Sequence, residues 1–187
     1  MSQLIALIIA IALGAIVTAI GYVFLGDAFT SNSERGVALQ LTNQGSQMEM
    51  AMSGYRATNA KGAADVIDFS DTSKSAEDNY NSLTGELVAK NFLKDKPVSP
   101  IIDTNGASVP YALFQNVANG KQSLYMVVDS GDLGADLYSE IEELAGRSGT
   151  VVEQATATDA IGALTTNSSR FGCYNSTAGY LAIYKVQ

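Results

Sequence analysis

The stretch from Leu4 to Leu25 reads LIALIIAIALGAIVTAIGYVFL and contains no charged side chain. As an α-helix it would extend over roughly 33 Å, which is enough to cross the hydrocarbon core of a bilayer. Because it is apolar around its whole circumference, such a helix needs burial on all sides, either in lipid or against other helices. The sequence therefore predicts that residues 1–26 belong in a membrane or in the core of an assembly.

The helical pattern continues beyond this segment, but on one side only. Apolar side chains recur at spacings of four, seven, four and three residues, at Val37, Leu41, Met48, Met52 and Tyr55. Gly45 lies on the same stripe, where the lack of a side chain permits close packing. We therefore expect one long helix over residues 1–56, whose second half rests its apolar stripe on a globular head formed by residues 57–187.

The head is predicted to be an α+β domain with an antiparallel sheet of about four strands. In chain order, the predicted elements are a helix at Ser82–Leu93, strands at Ser108–Phe114 and Ser123–Val128, a helix at Asp136–Ala145, and strands at Gly149–Gln154 and Gly179–Val186. Asn119-Gly120 is a favourable turn dipeptide and predicts a hairpin between the first two strands. Gly146 follows the second helix, as glycine commonly does. The stretch 165–177, rich in serine and threonine, is expected to be an outer loop.

The composition excludes several classes of function. The net charge of −8 and a pI near 4.4 disfavour binding to nucleic acid. Histidine is absent, which removes the usual imidazole base and zinc ligand. Cys173 is the single cysteine, so it forms no disulfide within the chain, and we expect a buried small side chain there. It is kept as a candidate for modification or for a contact between subunits. No catalytic constellation or cofactor motif is present, so we expect neither an enzyme nor a bound cofactor.

Two acidic groups invite a functional interpretation. Asp129, Asp132 and Asp136 are spaced oxygen ligands that could hold calcium, although their spacing is not that of an EF-hand loop. Capping of the following helix by Asp132 or a neighbour is the simpler interpretation. The cluster at 140, 142 and 143, all glutamates, is expected to be a solvated helix face.

The first residues resemble a known family. The start MSQLIALIIAIALGAIVTAIGYVF is similar to mature type IV pilins and to the pseudopilins of type II secretion. Gly14 falls where that family has a characteristic glycine, and the methionine start resembles the type IVb branch. The chain departs from the family at Ile5, where a glutamate usually pairs with a neighbour's amino terminus, and at Tyr22, where proline is common. It also lacks the second cysteine of the disulfide-bonded loop that the family often carries.

The resemblance implies a pilin-like fold, in which the long hydrophobic helix packs on the sheet of the head, and a structural role. The subunit would reside in the inner membrane and then polymerise through its N-terminal helix into an extracellular filament. The implied partners are further copies of the chain, the pilus assembly machinery and a prepilin peptidase, and the implied modification is a methylated amino terminus. The residues expected to carry assembly are Met1, Leu4, Ile5, Ile8, Ile11, Gly14, Ala15 and Thr18.

Other functions remain open on the sequence alone. A minor pseudopilin at the tip of a secretion system is favoured by the missing glutamate at Ile5. A monomeric surface-binding domain with a single membrane anchor would explain the apolar segment without any filament. A cleaved secretory signal is disfavoured, because no basic residue precedes Arg35 and the apolar run is too long.

Overall fold

The structure is a computed structural model that describes residues 33–59, 67–68, 73–103, 105–118, 121–129, 134–146, 154, 156–166, 170–177 and 179–186. The chain divides into two compact units, Met1–Glu34 and Arg35–Gln187, and only residues 33 and 34 of the first are described. The predicted membrane or core segment, residues 1–26, lies outside the described residues. Within the described ranges, no helix combines the length and apolar character needed to cross a bilayer.

The second unit has the predicted α+β class. It contains helix α1 from residue 35 onward (the helix is described over 33–59). Its other helices are α2 (Ala76–Ala89), α3 (Gly134–Leu144) and α4 (Ala157–Thr166), and its strands are β1 (Ala112–Ala118), β2 (Lys121–Asp129), β3 (Phe171–Ser176) and β4 (Gly179–Lys185). The four strands form one sheet in the order β1-β2-β4-β3, and all three pairings are antiparallel.

The hairpin predicted at Asn119-Gly120 is confirmed by the register, because Ala118 pairs with Lys121. The first strand, however, begins at Ala112, later than predicted. Pro110 has no N–H to donate to a ladder, which explains why a strand does not start before it. Ser108 instead forms an isolated antiparallel bridge with Ile102.

The helix α2 begins earlier and ends earlier than the predicted Ser82–Leu93. At its start, the Ser75 hydroxyl accepts from the Asp78 N–H and the Asp78 carboxylate accepts from the Ser75 N–H, which satisfies two otherwise unpaired donors. At its end, Asn91 takes a left-handed conformation with φ of 62°, which terminates the helix. A side-chain cap at the start and a backbone turn at Asn91, rather than the apolar pattern, therefore set the two boundaries.

The sheet is buried on both faces, and alternate residues of β2 point to each. On the first face, Leu124, Met126 and Val128 join one apolar cluster with side chains of α1, α2 and α3. On the second face, Tyr125 and Val127 join a smaller cluster. There α4 contributes Ala160, Ile161 and Leu164. The head is therefore layered, with helices on either side of the sheet.

The second layer is where the sequence-based prediction was incomplete. The helix α4 was not predicted, and β3 occupies much of the stretch 165–177 that was expected to be an outer loop. The predicted strand Gly149–Gln154 lies outside the described residues except for Gln154, whose N–H donates to the Asn175 carbonyl oxygen at 2.7 Å. The predicted helix Asp136–Ala145 and strand Gly179–Val186 are confirmed as α3 and β4, with Gly146 at φ of 70° after α3.

Candidate functional site

The helix α1 meets the sheet at Gly45. A Cβ atom placed on Gly45 would lie 2.2 Å from Cγ of Tyr184 on β4, closer than two non-bonded carbon atoms can approach. The stripe residues Leu41, Met48 and Met52 are buried around this point. The predicted close packing at Gly45 is therefore confirmed, and the Tyr184 ring is what it accommodates.

Polar contacts also join α1 to the sheet near Gly45, at the solvent-exposed side of the junction. The Tyr184 hydroxyl donates to Oε2 of Glu49 at 3.1 Å, and the Arg170 guanidinium lies 3.2 Å from Oε1 of that carboxylate. Burial, and next the Glu49 charge, raise the pKa of Tyr184. Phe171 stacks on the Tyr184 ring with the planes inclined by 4°. Because the Arg170 side chain is 72% exposed, its ion pair adds little to stability.

A second polar contact lies one turn earlier on α1. The Tyr111 hydroxyl donates to Oε1 of Gln44, and Nε2 of Gln44 donates to the Val98 carbonyl oxygen at 2.8 Å. Tyr111 is 2% exposed, and burial raises its pKa above the usual tyrosine range. Gln44 thus ties α1 both to the start of β1 and to the segment that follows α2.

The cavity between α1, α3 and the first face of the sheet is apolar and small. Leu41, Met126, Val128, Ile141 and Ala182 are among its lining residues. Its volume of about 20 Å³ is close to what one water molecule requires. It is a packing defect at the helix–sheet junction and is too small for an organic substrate.

The predicted calcium ligands are only partly described. Asp129 ends β2 and is half-buried, with Oδ1 positioned 3.4 Å from where a Cβ on Gly179 would be. Asp136 is exposed in the first turn of α3, where a negative charge favours the helix dipole. Asp132 lies outside the described residues. Within the described part of the chain, no three acidic or cysteine side chains are grouped as a metal site would require.

The expectation for the glutamate cluster was wrong at Glu142. This residue is 8% exposed, and its Oε1 accepts the N–H of Cys173 on the edge strand β3 at 3.1 Å. A carboxylate turned inward at a sheet edge satisfies an N–H group that would otherwise invite another strand. Cys173 itself is 1% exposed, as expected of a buried small side chain.

The residues of the helix–sheet junction were mostly not singled out from the sequence. Glu49 lies far along the chain from Arg170 and Tyr184, and the same holds for Gln44 and Tyr111, so no local spacing connects them. Only Gly45 carried a signal, because a glycine on an apolar helical stripe indicates close approach. The predicted assembly residues from Met1 to Thr18 lie outside the described residues.

Comparisons with known proteins add no assignment. No protein-family model, no curated protein and no solved structure matches this chain.

Proposed function

We propose that this chain is the structural subunit of a type IV pilus-like filament, polymerised through its N-terminal helix. The observation that carries the proposal is the sequence from Leu4 to Leu25, which is uncharged and leads into an amphipathic helix docked on a folded head. A segment of this kind is stable only when lipid or other helices enclose it. Copies of the same segment are the partners always available to it.

Association of these helices in a membrane requires tight packing between them. Burying apolar surface from water contributes about 25 cal/mol per Å², but moving a helix from lipid to other helices gains only what tight packing supplies. Small residues such as Gly14 and Ala15 allow helices to approach closely. We therefore assign them, with Ile8, Ile11 and Thr18, to the contacts between subunits.

The proposal extends to location and partners. The subunit would reside in the inner membrane, where a prepilin peptidase would process it. The pilus assembly machinery would then add it to the extracellular filament. The finer pilin-like description of the fold, with a hydrophobic helix over residues 1–56 on the sheet, is part of this proposal. It draws support from the docking of α1 at Gly45.

The test is filament formation by the full chain after detergent is removed, viewed by electron microscopy. The variant Ile11→Glu places a charge in the apolar segment and should abolish filaments. The variant Ser82→Glu places the same charge on the exposed surface of α2 and should leave them intact. A full chain that remains a soluble monomer without detergent, or filaments unaffected by Ile11→Glu, would overturn the proposal.

Ile5 supports a second candidate. A subunit without an acidic side chain at this position cannot pair with a neighbour's amino terminus in the way that the resemblance implies. A minor pseudopilin at the tip of a secretion apparatus would need fewer such contacts. Labelling the chain within purified filaments separates the two roles, since a main subunit labels the whole length and a tip subunit labels one end.

A further inference from the structure

A second cavity lies in the head between α2 and the two chain segments 96–99 and 108–111. We call it the α2 pocket. Its volume is about 150 Å³, far larger than that of the cavity beside α1. A cavity of this order holds one molecule about the size of benzene. The α2 pocket is therefore large enough for a small organic molecule and too small for a larger ligand.

The inner end of the α2 pocket is formed by two tyrosine rings. Tyr80 is 1% exposed and Tyr111 is 2% exposed, and their ring centroids lie 5.3 Å apart. The Tyr80 hydroxyl donates to the Pro97 carbonyl oxygen at 2.8 Å, and the Tyr111 hydroxyl donates to Gln44. Because both hydroxyl hydrogens are already used within the fold, the rings serve a ligand mainly as an apolar wall.

The serine hydroxyls of the α2 pocket are also occupied. The Ser108 hydroxyl donates to the Ser99 carbonyl oxygen at 2.7 Å. The Ser99 hydroxyl accepts the N–H of Ile101 at 3.1 Å and is hydrogen-bonded to the Tyr111 side chain. These groups hold the two segments of the pocket together, so they do not determine what enters it.

Two polar groups at the mouth of the α2 pocket have hydrogen-bonding capacity left. The Lys96 ammonium donates to Oδ1 of Asn81 and lies 5.6 Å from the centroid of the Tyr80 ring. An ammonium group has three N–H donors, and the Asn81 amide keeps its NH2 group once its oxygen is engaged. Within the described part of the chain, no acceptor bonds to that NH2 group and no carboxylate pairs with Lys96. Both side chains are exposed, so these donors are open to a ligand.

The charge of the α2 pocket is opposite to that of the chain. Lys96 is the one charged residue among those lining it. Asp95, its neighbour in sequence, lines a different groove, beside α1. In a chain with a net charge of −8, a pocket with a cation and without an acidic lining residue is a local site for negative charge.

We propose that the α2 pocket binds a small organic carboxylate. The two carboxylate oxygens would accept hydrogen bonds from Nζ of Lys96 and from Nδ2 of Asn81. Hydrogen bonds to ionised groups are stronger than those between neutral groups, so charge dominates recognition. The apolar body of the ligand would lie against Val109, Pro110 and the tyrosine rings, which line the same pocket. The inference does not depend on the proposed filament.

Inorganic phosphate fits the α2 pocket less well. It presents oxygen atoms on every side and has no apolar surface. The pocket offers free donors only at Lys96 and Asn81 among the described residues, and the rest of its lining is apolar or already hydrogen-bonded. Polar oxygens placed against apolar walls lose their hydration without gaining hydrogen bonds.

The test is equilibrium dialysis of radiolabelled benzoate against the full chain in detergent micelles, with protein-free micelles as the blank. Benzoate should bind saturably. Benzamide has the same shape without the charge and should bind about ten-fold more weakly, since it forgoes the charge-assisted hydrogen bond. Lys96→Gln should weaken benzoate binding by about the same factor. The matched control is Lys94→Gln, which removes the same charge from an exposed residue outside the pocket and should leave binding unchanged.

A second pair of variants tests the amide. Asn81→Asp replaces the NH2 donor by a carboxylate that pairs with Lys96, so benzoate binding should be lost. Ser82→Asp adds the same charge at the next exposed position of α2, outside the pocket, and should retain binding. This pair separates a defined site from a general attraction of benzoate to lysine side chains.

Four outcomes would overturn the inference. They are the absence of saturable benzoate binding, equal losses in Lys96→Gln and Lys94→Gln, equal affinities for benzoate and benzamide, and displacement of benzoate by a lower concentration of inorganic phosphate. Retained binding in Asn81→Asp would overturn the assigned role of the amide.

Discussion

The two faces of the sheet are covered in different ways. On the first face, α1 approaches so closely that Gly45 contacts the Tyr184 ring, and polar pairs at Glu49 and Gln44 fasten the helix at the rim. On the second face, α4 packs through a small apolar cluster that includes Ile161 and Leu164. The first face therefore combines burial of its larger apolar cluster with a steric fit at Gly45, whereas the second depends on burial of a smaller cluster alone. This difference predicts which substitutions the head tolerates.

The largest effect is expected at Gly45. In Gly45→Leu, the new side chain would occupy the position of the Tyr184 ring, so α1 must shift away from the sheet and Met48 and Leu41 lose burial. We expect a loss of about 3 kcal/mol or more in the free energy of unfolding. Denaturant unfolding of the full chain in detergent, followed by near-ultraviolet circular dichroism, measures it.

The control for this substitution is Gly85→Ala on α2. Nothing lies within 4 Å of a Cβ placed there, and the site is exposed within a helix. Alanine should therefore stabilise the chain by about 0.5–1 kcal/mol through its higher helix propensity. If both glycine substitutions had equal effects, the steric account of the first face would be wrong.

A substitution at Glu142 tests the hydrogen bond between α3 and β3, the edge strand of the sheet. Removing its carboxylate in Glu142→Ala leaves the buried N–H of Cys173 without this acceptor and should lower the unfolding free energy by about 2 kcal/mol. The variant Glu142→Gln keeps an acceptor oxygen and should lose much less. Equal losses in the two variants, measured by denaturant unfolding, would show that the charge and not the hydrogen bond matters.

A small cavity made in the cluster on the second face should lower the free energy of unfolding by the amount usual for a buried methyl group. Ile161 is 2% exposed, and Ile161→Val should cost about 1 kcal/mol. Because β2 and β4 serve as a wall for both clusters, unfolding should remain one cooperative transition. Circular dichroism in the far and near ultraviolet should give coincident curves. Separate transitions would mean that α4 forms an independent layer.

The smallest effect at neutral pH concerns the buried tyrosines of the first face. Burial raises the pKa of Tyr80 and of Tyr111 above their ordinary value of 10.0, so the folded state holds these protons more tightly than the unfolded state. Their contribution to stability is complete below pH 10 and is lost as the pH rises from 10 toward the folded-state pKa values. The variant Tyr80→Phe should show a flatter decline of unfolding free energy above pH 10.

The sequence by itself determined the features that depend on local periodicity. The apolar stripe of α1, the glycine that interrupts it, the hairpin at Asn119-Gly120 and the extent of α3 and β4 were all predicted, because side-chain spacing and turn chemistry act over a few residues. The boundaries of α2 were predicted less well, since the Ser75–Asp78 cap lay outside the apolar pattern.

Only the tertiary structure determined the contacts between residues that are distant in the sequence. The helix α4 and strand β3 are short and rich in small or polar residues, so neither had a clear periodic signal, and their burial follows from packing against Tyr125 and Ile183. Glu142 was predicted from the sequence to lie on a solvated helix face, but the fold places it beside β3. The Tyr184 ring meets Gly45 because the antiparallel sheet carries it there, and no spacing along the chain encodes that contact.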